Sequence, residues 1–292
     1  MVKPFVDAVN SDGKDRVEVD VYFSGAISPD QSQQPRLVSS GTADIALIVP
    51  GRTPDRFPDT AVLALPGLFK NSLEATRTYA QLVANDALAG YSDYYVIGAY
   101  VSDAEDIHSR KPIEKLADLK GLKIRVNNDI EAGVLEQLGA IPVLLAINNT
   151  TEAVSRGVID GAAFPPSMVF QFGIGRVAAN HYIIGLGGAP TALVMNRAKF
   201  DSLPPDVQTI IRRHSGAAFS VAAAKMVAAQ DQKVRLELQS DPRRKFVIPD
   251  AADSRIINAA FAKAIEEYAS RSDHNRALVD AMQRGIRQTT GQ

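Results

Sequence analysis

The spacing of apolar residues predicts helices and strands that alternate along the chain. Apolar residues between 2 and 9 lie three or four positions apart, as on one face of a helix, and residues 17–22 alternate apolar and polar, as in a strand. A nearly continuous apolar run at 43–49 predicts a strand covered on both faces, as in parallel sheets. Because an α/β domain normally begins with a strand, the opening helix predicts about 20 further residues upstream of Met1. A genuine N-terminal helix is the alternative.

Residues 112–165 continue this alternation and predict a parallel sheet with helices on its faces. The predicted elements are a strand at 122–126, a helix capped within 127–129 and ending near Leu138, a strand at 141–145, a helix capped by Thr150 or Thr151 and ending at Arg156, and a strand at 158–163.

The last third predicts longer helices. Pro204 opens a helical stretch to about Leu238 that is rich in alanine, the best helix former, and an amphipathic helix follows at 250–268. No low-complexity linker separates two halves, so we expect two domains connected by several chain crossings.

Composition excludes several classes of protein. The 292 residues suffice for about two domains. Lys and Arg number 32 against 33 Asp and Glu, a formal charge of −1 with no basic block, which disfavours nucleic acid as a partner. The absence of cysteine excludes disulfides, thiolate nucleophiles and Cys-ligated zinc. No uncharged apolar run approaches the roughly 20 residues of a membrane-spanning helix.

Motifs for catalysis and cofactors mostly fail. Residues 173–178 match G-x-G-x-x-A, but no long helix follows, so these glycines are expected to terminate a helix. The four histidines lack partners at metal-ligand spacing. The acidic cluster Asp103, Glu105 and Asp106 is expected to be solvated. We therefore predict no enzyme activity, no cofactor and no metal.

Arg125 is the residue that stands out. It lies near the end of a short strand between two apolar residues, Ile124 and Val126. The carboxyl ends of parallel strands border the crevice in which open α/β sheets bind ligands, and a guanidinium binds a carboxylate bidentately. A structural salt bridge at the sheet edge is the alternative.

Five motifs in register resemble the substrate-binding proteins of tripartite ATP-independent periplasmic (TRAP) transporters. They are Ser40–Ala46, Ala64–Phe69, Leu119–Val126, Leu138–Val143 and Gly157–Gly161. Each motif alone is weak, but their order and spacing agree over nearly the whole chain. The long helical stretch from Pro204 also favours this family over other transporter classes.

The resemblance implies an α/β, periplasmic-binding-protein (type II-like) fold with two lobes. Each lobe would have a parallel-rich sheet flanked by helices, with a ligand cleft between the lobes and a long bridging helix. We expect lobe I to comprise 1–102 and 189–228, and lobe II to comprise 103–188 and 229–292.

The resemblance also implies a function. The protein would capture a small organic-acid anion in the periplasm by lobe closure and deliver it to a TRAP permease, as a monomer. Its carboxylate would be held by Arg125, with Arg52, Asn128, Ile147 and Phe164 as further ligand contacts. A surface arginine, a helix cap and ordinary core packing are the respective alternatives for Arg52, for Asn128, and for Ile147 and Phe164.

Departures from the family pattern narrow the expected ligand. Glu105 stands where some sialic-acid-binding members have a second arginine, and Asn149 and Thr151 replace a frequent Glu and Tyr. We therefore expect a small 2-oxo, 2-hydroxy or aromatic carboxylate, and Phe164 favours a flat ligand. A solute-binding protein of another transporter class or a carboxylate-sensing domain is the alternative.

Overall fold

The computed structural model describes residues 2–23 and 25–290, with side-chain surroundings as far as residue 284. The chain divides into two compact units. Unit 1 comprises Met1–Ala61, Leu73–Val101 and Pro190–Lys225, and unit 2 comprises Val62–Ser72, Ser102–Ala189 and Met226–Gln292. Among the described residues, no helix is long and apolar enough to cross a membrane.

Helices and strands alternate through most of the described chain. The α-helices are α1 (Val2–Asp12), α2 (Gln34–Ser39), α3 (Ser72–Ala84), α4 (Asp129–Gln137), α5 (Ile147–Ser155), α6 (Pro166–Gln171), α7 (Arg197–Ser202), α8 (Pro205–Arg213), α9 (Gly216–Ser240), α10 (Ala251–Ser270) and α11 (Asp273–Thr290). The strands are β1 (Ile45–Ile48), β2 (Tyr94–Val101), β3 (Asp106–Ser109), β4 (Lys123–Val126), β5 (Ile141–Leu144), β6 (Gly161–Phe164), β7 (Asn180–Tyr182), β8 (Pro190–Asn196) and β9 (Lys245–Val247).

Unit 1 contains a three-stranded sheet in the order β1-β8-β2. Strand β8 is antiparallel to both neighbours, with Met195 opposite Ile45 on one side and Tyr95 on the other. The expected parallel pairing is therefore wrong for this sheet, because the strand between β1 and β2 enters from a later part of the chain in the opposite direction. The expectation that β1 is covered on both faces is also wrong, since Leu47 is 37% exposed.

Residues 17–22 do not form the predicted strand. They pair with no strand of the described chain; instead, the Asn10 side chain accepts from the Val19 N–H at 2.7 Å and donates to its carbonyl at 3.1 Å. The alternating Val17, Val19 and Val21 still pack on the core that α1 forms with β8 and α8. The alternation therefore correctly predicts which side chains are partly buried. The backbone of Val19, however, is hydrogen-bonded by the Asn10 side chain and not by a neighbouring strand.

Unit 2 contains a six-stranded mixed sheet in the order β5-β4-β6-β3-β7-β9. Strand β4 is parallel to both β5 and β6, β3 is antiparallel to β6 and β7, and β7 is parallel to β9. Parallel pairing, as predicted for 112–165, brings the carboxyl ends of β4, β5 and β6 to the same edge. This edge positions the candidate site.

Two predicted helix bounds are wrong. Helix α5 begins at Ile147, so Thr150 and Thr151 lie inside it and do not cap it; the Thr150 hydroxyl donates to the Ala146 carbonyl at 3.1 Å. The stretch from Pro204 is two helices, α8 and α9, because the chain turns at Gly216, whose φ of +83° is costly for residues with a side chain.

Of the two glycines of the G-x-G-x-x-A match, Gly173 ends a helix, as expected, whereas Gly175 lies in the turn that follows. Gly173 comes after Phe172, the C-cap of α6, and has a φ of +75°, the left-handed conformation in which glycine terminates helices. Since only a three-residue 3₁₀ turn follows, Ile174–Arg176, no helix N-terminus is available to bind a pyrophosphate.

The acidic cluster is not solvated, contrary to expectation. Asp106 is 1% exposed; its carboxylate lies 3.1 Å from the Arg235 guanidinium of α9 and accepts from the Gly185 N–H. Burial raises the pKa of Asp106 to about 6, against the lowering effect of Arg235. Glu105 is also buried. The sequence could not show this because the cation that pairs with Asp106 lies more than a hundred positions away.

Two buried histidines join β3 to β7. The Nδ1 atoms of His108 and His181 lie 2.8 Å apart, and Nε2 of His108 lies 3.1 Å from the Phe164 carbonyl. Burial lowers the pKa of His108 to about 4 and that of His181 to about 3. Both imidazoles are therefore neutral in the folded protein near pH 7, as satisfied core histidines.

Stability is expected to fall on mild acidification. Near pH 5 the two histidines bind protons only when unfolded, which disfavours the fold, whereas Asp106 binds one only when folded, which favours it. The net is one more proton on the unfolded chain, so the free energy of unfolding should drop by about 1.4 kcal/mol per pH unit there. Urea unfolding between about pH 6.5 and 5 measures this slope.

Two variants should change that slope in opposite directions. Asp106→Asn removes the opposing carboxyl and should steepen it, whereas His181→Gln should flatten it. Asn85→Gln, at an exposed position without a titratable group, is the control and should leave the slope unchanged. Equal slopes in all four proteins would contradict the assignment of neutral buried histidines.

Candidate functional site

Arg125 lies near the carboxyl end of β4, and the strands on both sides hold its guanidinium. Nε donates to the Leu145 carbonyl, just past β5, and Nη1 donates to the Ala163 carbonyl of β6, both at 3.1 Å. Nη2 donates to Oδ1 of Asn127 at 3.3 Å. The side chain is thus fixed across the edge where the three parallel strands end.

The charge of Arg125 has no anionic partner. The side chain is buried, with the residue 2% exposed, yet all three of its acceptors are neutral, and no carboxylate of the described residues forms an ion pair with it. A guanidinium has five N–H donors, so two remain available. Burying a charge without a counter-charge costs free energy. The described residues do not form the structural salt bridge that the sequence left open as an alternative.

Phe164 supports Arg125 from one side. The guanidinium carbon lies 4.8 Å from the ring centroid, a cation–π contact, and the ring is fully buried. Phe164 also belongs to a core cluster with Ile147, and its ring lies 6.3 Å from that of Phe172. Core packing and contact with the site are therefore both properties of this residue.

The turn after β4 connects Arg125 to α4. Asn128 caps the helix: its Oδ1 accepts from the Glu131 N–H at 3.0 Å, and its side-chain amide donates to the Glu131 carboxylate. The other Glu131 oxygen accepts from the Asn127 N–H at 2.8 Å. Sequence reasoning missed Asn127 and Glu131, although the N-x-x-E spacing of a capping box was available as a signal.

Ile147 begins α5 and lines an open pocket of about 390 Å³ in unit 2, a size suited to a small ligand. Arg125 and Phe164 do not line it. The pocket combines apolar and polar side chains with one exposed arginine, and its lining residues are Ile147, Asn148, Thr151, Phe170, Gln171, Phe172, Gly173 and Arg176.

Arg52 belongs to unit 1, whereas the other predicted site residues belong to unit 2. It ends the 3₁₀ turn Pro50–Arg52 in unit 1 and is partly exposed. Unit 2 thus brings together Arg125, Asn128, Ile147 and Phe164, whereas the role of Arg52 stays a prediction.

The arrangement around Arg125 is chemically suited to an anion. Its charged group is a fixed cation with two remaining donors, which suits the two oxygens of a carboxylate. Among the residues that the structure describes, no cluster of three or more histidine and acidic side chains could hold a metal ion.

Comparison with known proteins places this geometry in a family. Residues 1–271 match the family described as bacterial extracellular solute-binding protein, family 7 (DctP). The C4-dicarboxylate-binding periplasmic protein DctP of Rhodobacter capsulatus is 26% identical over 229 residues, which are 77% of this chain and 68% of that protein. Alignments with four such relatives cover between 61% and 78% of their lengths.

Solved structures agree with this assignment. A TRAP solute-binding protein from Rhodoferax ferrireducens T118, in complex with copurified benzoate, is 28% identical with a TM-score of 0.89 over 100% of this chain and 93% of that one. A marine metagenome TRAP solute-binding protein specific for aromatic acid ligands is 25% identical with a TM-score of 0.90, over 98% and 93%. The predicted solute-binding fold is thereby confirmed, and the chain belongs to the DctP family of TRAP solute-binding proteins.

Proposed function

We propose that this protein captures a small organic-acid anion for a TRAP permease and that planar aromatic carboxylates are its preferred ligands. The ligand carboxylate accepts from the two free N–H donors of Arg125. The single observation that carries the proposal is the buried guanidinium whose acceptors are all neutral.

Physical reasoning supports an anionic ligand over a neutral one. A buried guanidinium without a counter-charge is poorly stabilised, and a bound carboxylate would supply both the missing charge and two acceptors. Since the guanidinium is already held by three hydrogen bonds and an aromatic ring, little side-chain freedom is lost when the ligand binds.

Three observations support the aromatic class. The Rhodoferax and marine relatives bind benzoate and aromatic acids. Ile147 and Phe172 line the pocket in unit 2 and pack in one apolar cluster with Phe164 of β6. A flat aromatic ring buries well against such apolar surfaces. Glu105 is buried and stands where some sialic-acid-binding members have a second arginine, which disfavours a bulky sugar acid.

The family also supports a location and partners for this chain. Its members are extracellular solute-binding proteins, and the Rhodobacter relative is periplasmic by name. We therefore propose that the protein acts in the periplasm as a monomer without catalytic activity and delivers its ligand to the membrane subunits of a TRAP transporter. Capture by closure of two lobes stays a prediction.

Replacing Arg125 by alanine should abolish carboxylate recognition. We expect the variant to lose about 2–5 kcal/mol of binding free energy for benzoate, because a buried charge partner of the ligand is removed. Isothermal titration calorimetry and thermal shift measure this, with benzoate, 3-hydroxybenzoate, mandelate and glucuronate as ligands and benzamide as the neutral analogue of benzoate.

The matched control is Arg156→Ala, which removes an exposed arginine of the same unit that forms an ion pair with Glu152 on the surface. It should bind as the parent does. The proposal that this protein captures carboxylates is wrong if no acid raises the melting temperature of the parent. It is also wrong if Arg125→Ala responds to the acids as the parent does. A stronger response to glucuronate than to benzoate would replace the aromatic class by sugar acids.

Phe164→Leu tests how the aromatic ring contributes. Since the ring is buried against the guanidinium, we expect weaker binding of benzoate and of an aliphatic acid such as lactate alike, with a stability cost of about 1 kcal/mol. Calorimetry with both ligands and urea unfolding measure these effects. A loss restricted to benzoate would instead support direct stacking of Phe164 on the ligand.

A further inference from the structure

The acceptor nearest to the outer nitrogen of Arg125 is an amide where a carboxylate would fit. Oδ1 of Asn127 lies 3.3 Å from Nη2 of Arg125, and Asn127 is 9% exposed. A guanidinium only donates, so the atom of Asn127 that faces it is the oxygen. Aspartate has the same shape and would place a negative charge at this position.

Glu131, the first buried carboxylate after this turn, is hydrogen-bonded to other groups. One oxygen of Glu131 accepts from the Asn127 backbone N–H, and the other accepts from the Asn128 side chain. Glu131 is 2% exposed, and the three hydrogen bonds of Arg125 go to Leu145, Ala163 and Asn127. Glu131 therefore holds the backbone of Asn127 in place, while the guanidinium donates to neutral acceptors.

We propose that Asn127 is the residue that keeps Arg125 available to an anion: it orients the guanidinium through a neutral acceptor and so leaves the positive charge for the ligand. Asn127 is in this sense a positioning and specificity-determining residue, held in place by Glu131. The identity of the ligand in this inference rests on the proposed function. The effect of Asn127 on the charge of Arg125 does not, because it concerns the ligand-free protein.

The physical consequence is a competition between an internal and an external carboxylate. Asp at 127 would form an ion pair with Arg125 inside the protein, and a ligand anion would then have to bind beside a negative charge and a neutralised guanidinium. Affinity for anions should fall while the interaction within the ligand-free protein becomes stronger. A residue with only a structural role would weaken both together.

The first test is a double-mutant cycle in the ligand-free protein. Asn127→Asp, Arg125→Gln and the double variant are compared with the parent by thermal and urea unfolding. We compare the change in melting temperature that Asn127→Asp causes in two backgrounds. We expect this change to be several degrees more favourable when Arg125 is present than in the Arg125→Gln background. Absence of this coupling, or a single variant Asn127→Asp that fails to fold, overturns the proposal.

The second test is ligand binding, with benzoate and benzamide as probes. Asn127→Asp should weaken benzoate binding about tenfold or more and leave the weak response to benzamide unchanged. Asn149→Asp is the matched control, because it introduces the same charge on an exposed residue in the first turn of α5 that makes no contact with Arg125. An equal loss in both variants would assign the effect to net charge and overturn the role of Asn127.

The two tests separate this inference from the proposed function. If the parent binds no carboxylate, capture of organic acids fails, and the unfolding cycle alone decides whether Asn127 leaves the charge of Arg125 uncompensated. If the parent binds benzoate and Asn127→Asp binds it equally well, the proposed function stands and the role of Asn127 is wrong.

Discussion

A buried arginine without a counter-ion is the constraint on which the site depends. Unit 2 places the Arg125 guanidinium where three parallel strands end and gives it neutral acceptors from the strands on both sides. Such an arrangement is unfavourable for an isolated fold, because buried charge is normally paired. An anionic ligand, as proposed above, would offset this cost.

Several parts of unit 2 serve this one group. The parallel pairing of β4 with β5 and β6 brings the Leu145 and Ala163 carbonyls to the guanidinium, and the buried Phe164 ring supports it. Glu131, in the first turn of α4, accepts from the Asn127 N–H and holds this residue in place. On β3, the strand next to β6, His108 hydrogen-bonds the Phe164 carbonyl and also His181. A neutral hydrogen-bond network therefore adjoins the strand that carries Phe164.

The position of Arg125 was predictable because its determinants are local. A short apolar strand with arginine near its end predicts a side chain at the carboxyl edge of a parallel sheet, and the structure has that arrangement. Asn128 as a helix cap was likewise one of two open interpretations, and its side chain caps α4. Asn127 and Glu131 were missed because their roles depend on which atoms face the guanidinium, a property of the folded turn.

The sequence by itself determined the alternation of elements, the family motifs, and the residue type suited to a carboxylate, because these follow from spacing along the chain. Tertiary structure alone decided strand direction in the sheet of unit 1, where β8 arrives from a distant segment, and the burial of Asp106, whose partner Arg235 lies on a remote helix. It also decided that Arg125 forms no ion pair within the described part of the chain. Pairing between distant residues leaves no periodic pattern in a sequence, so only the folded chain could show which charges meet and which remain alone.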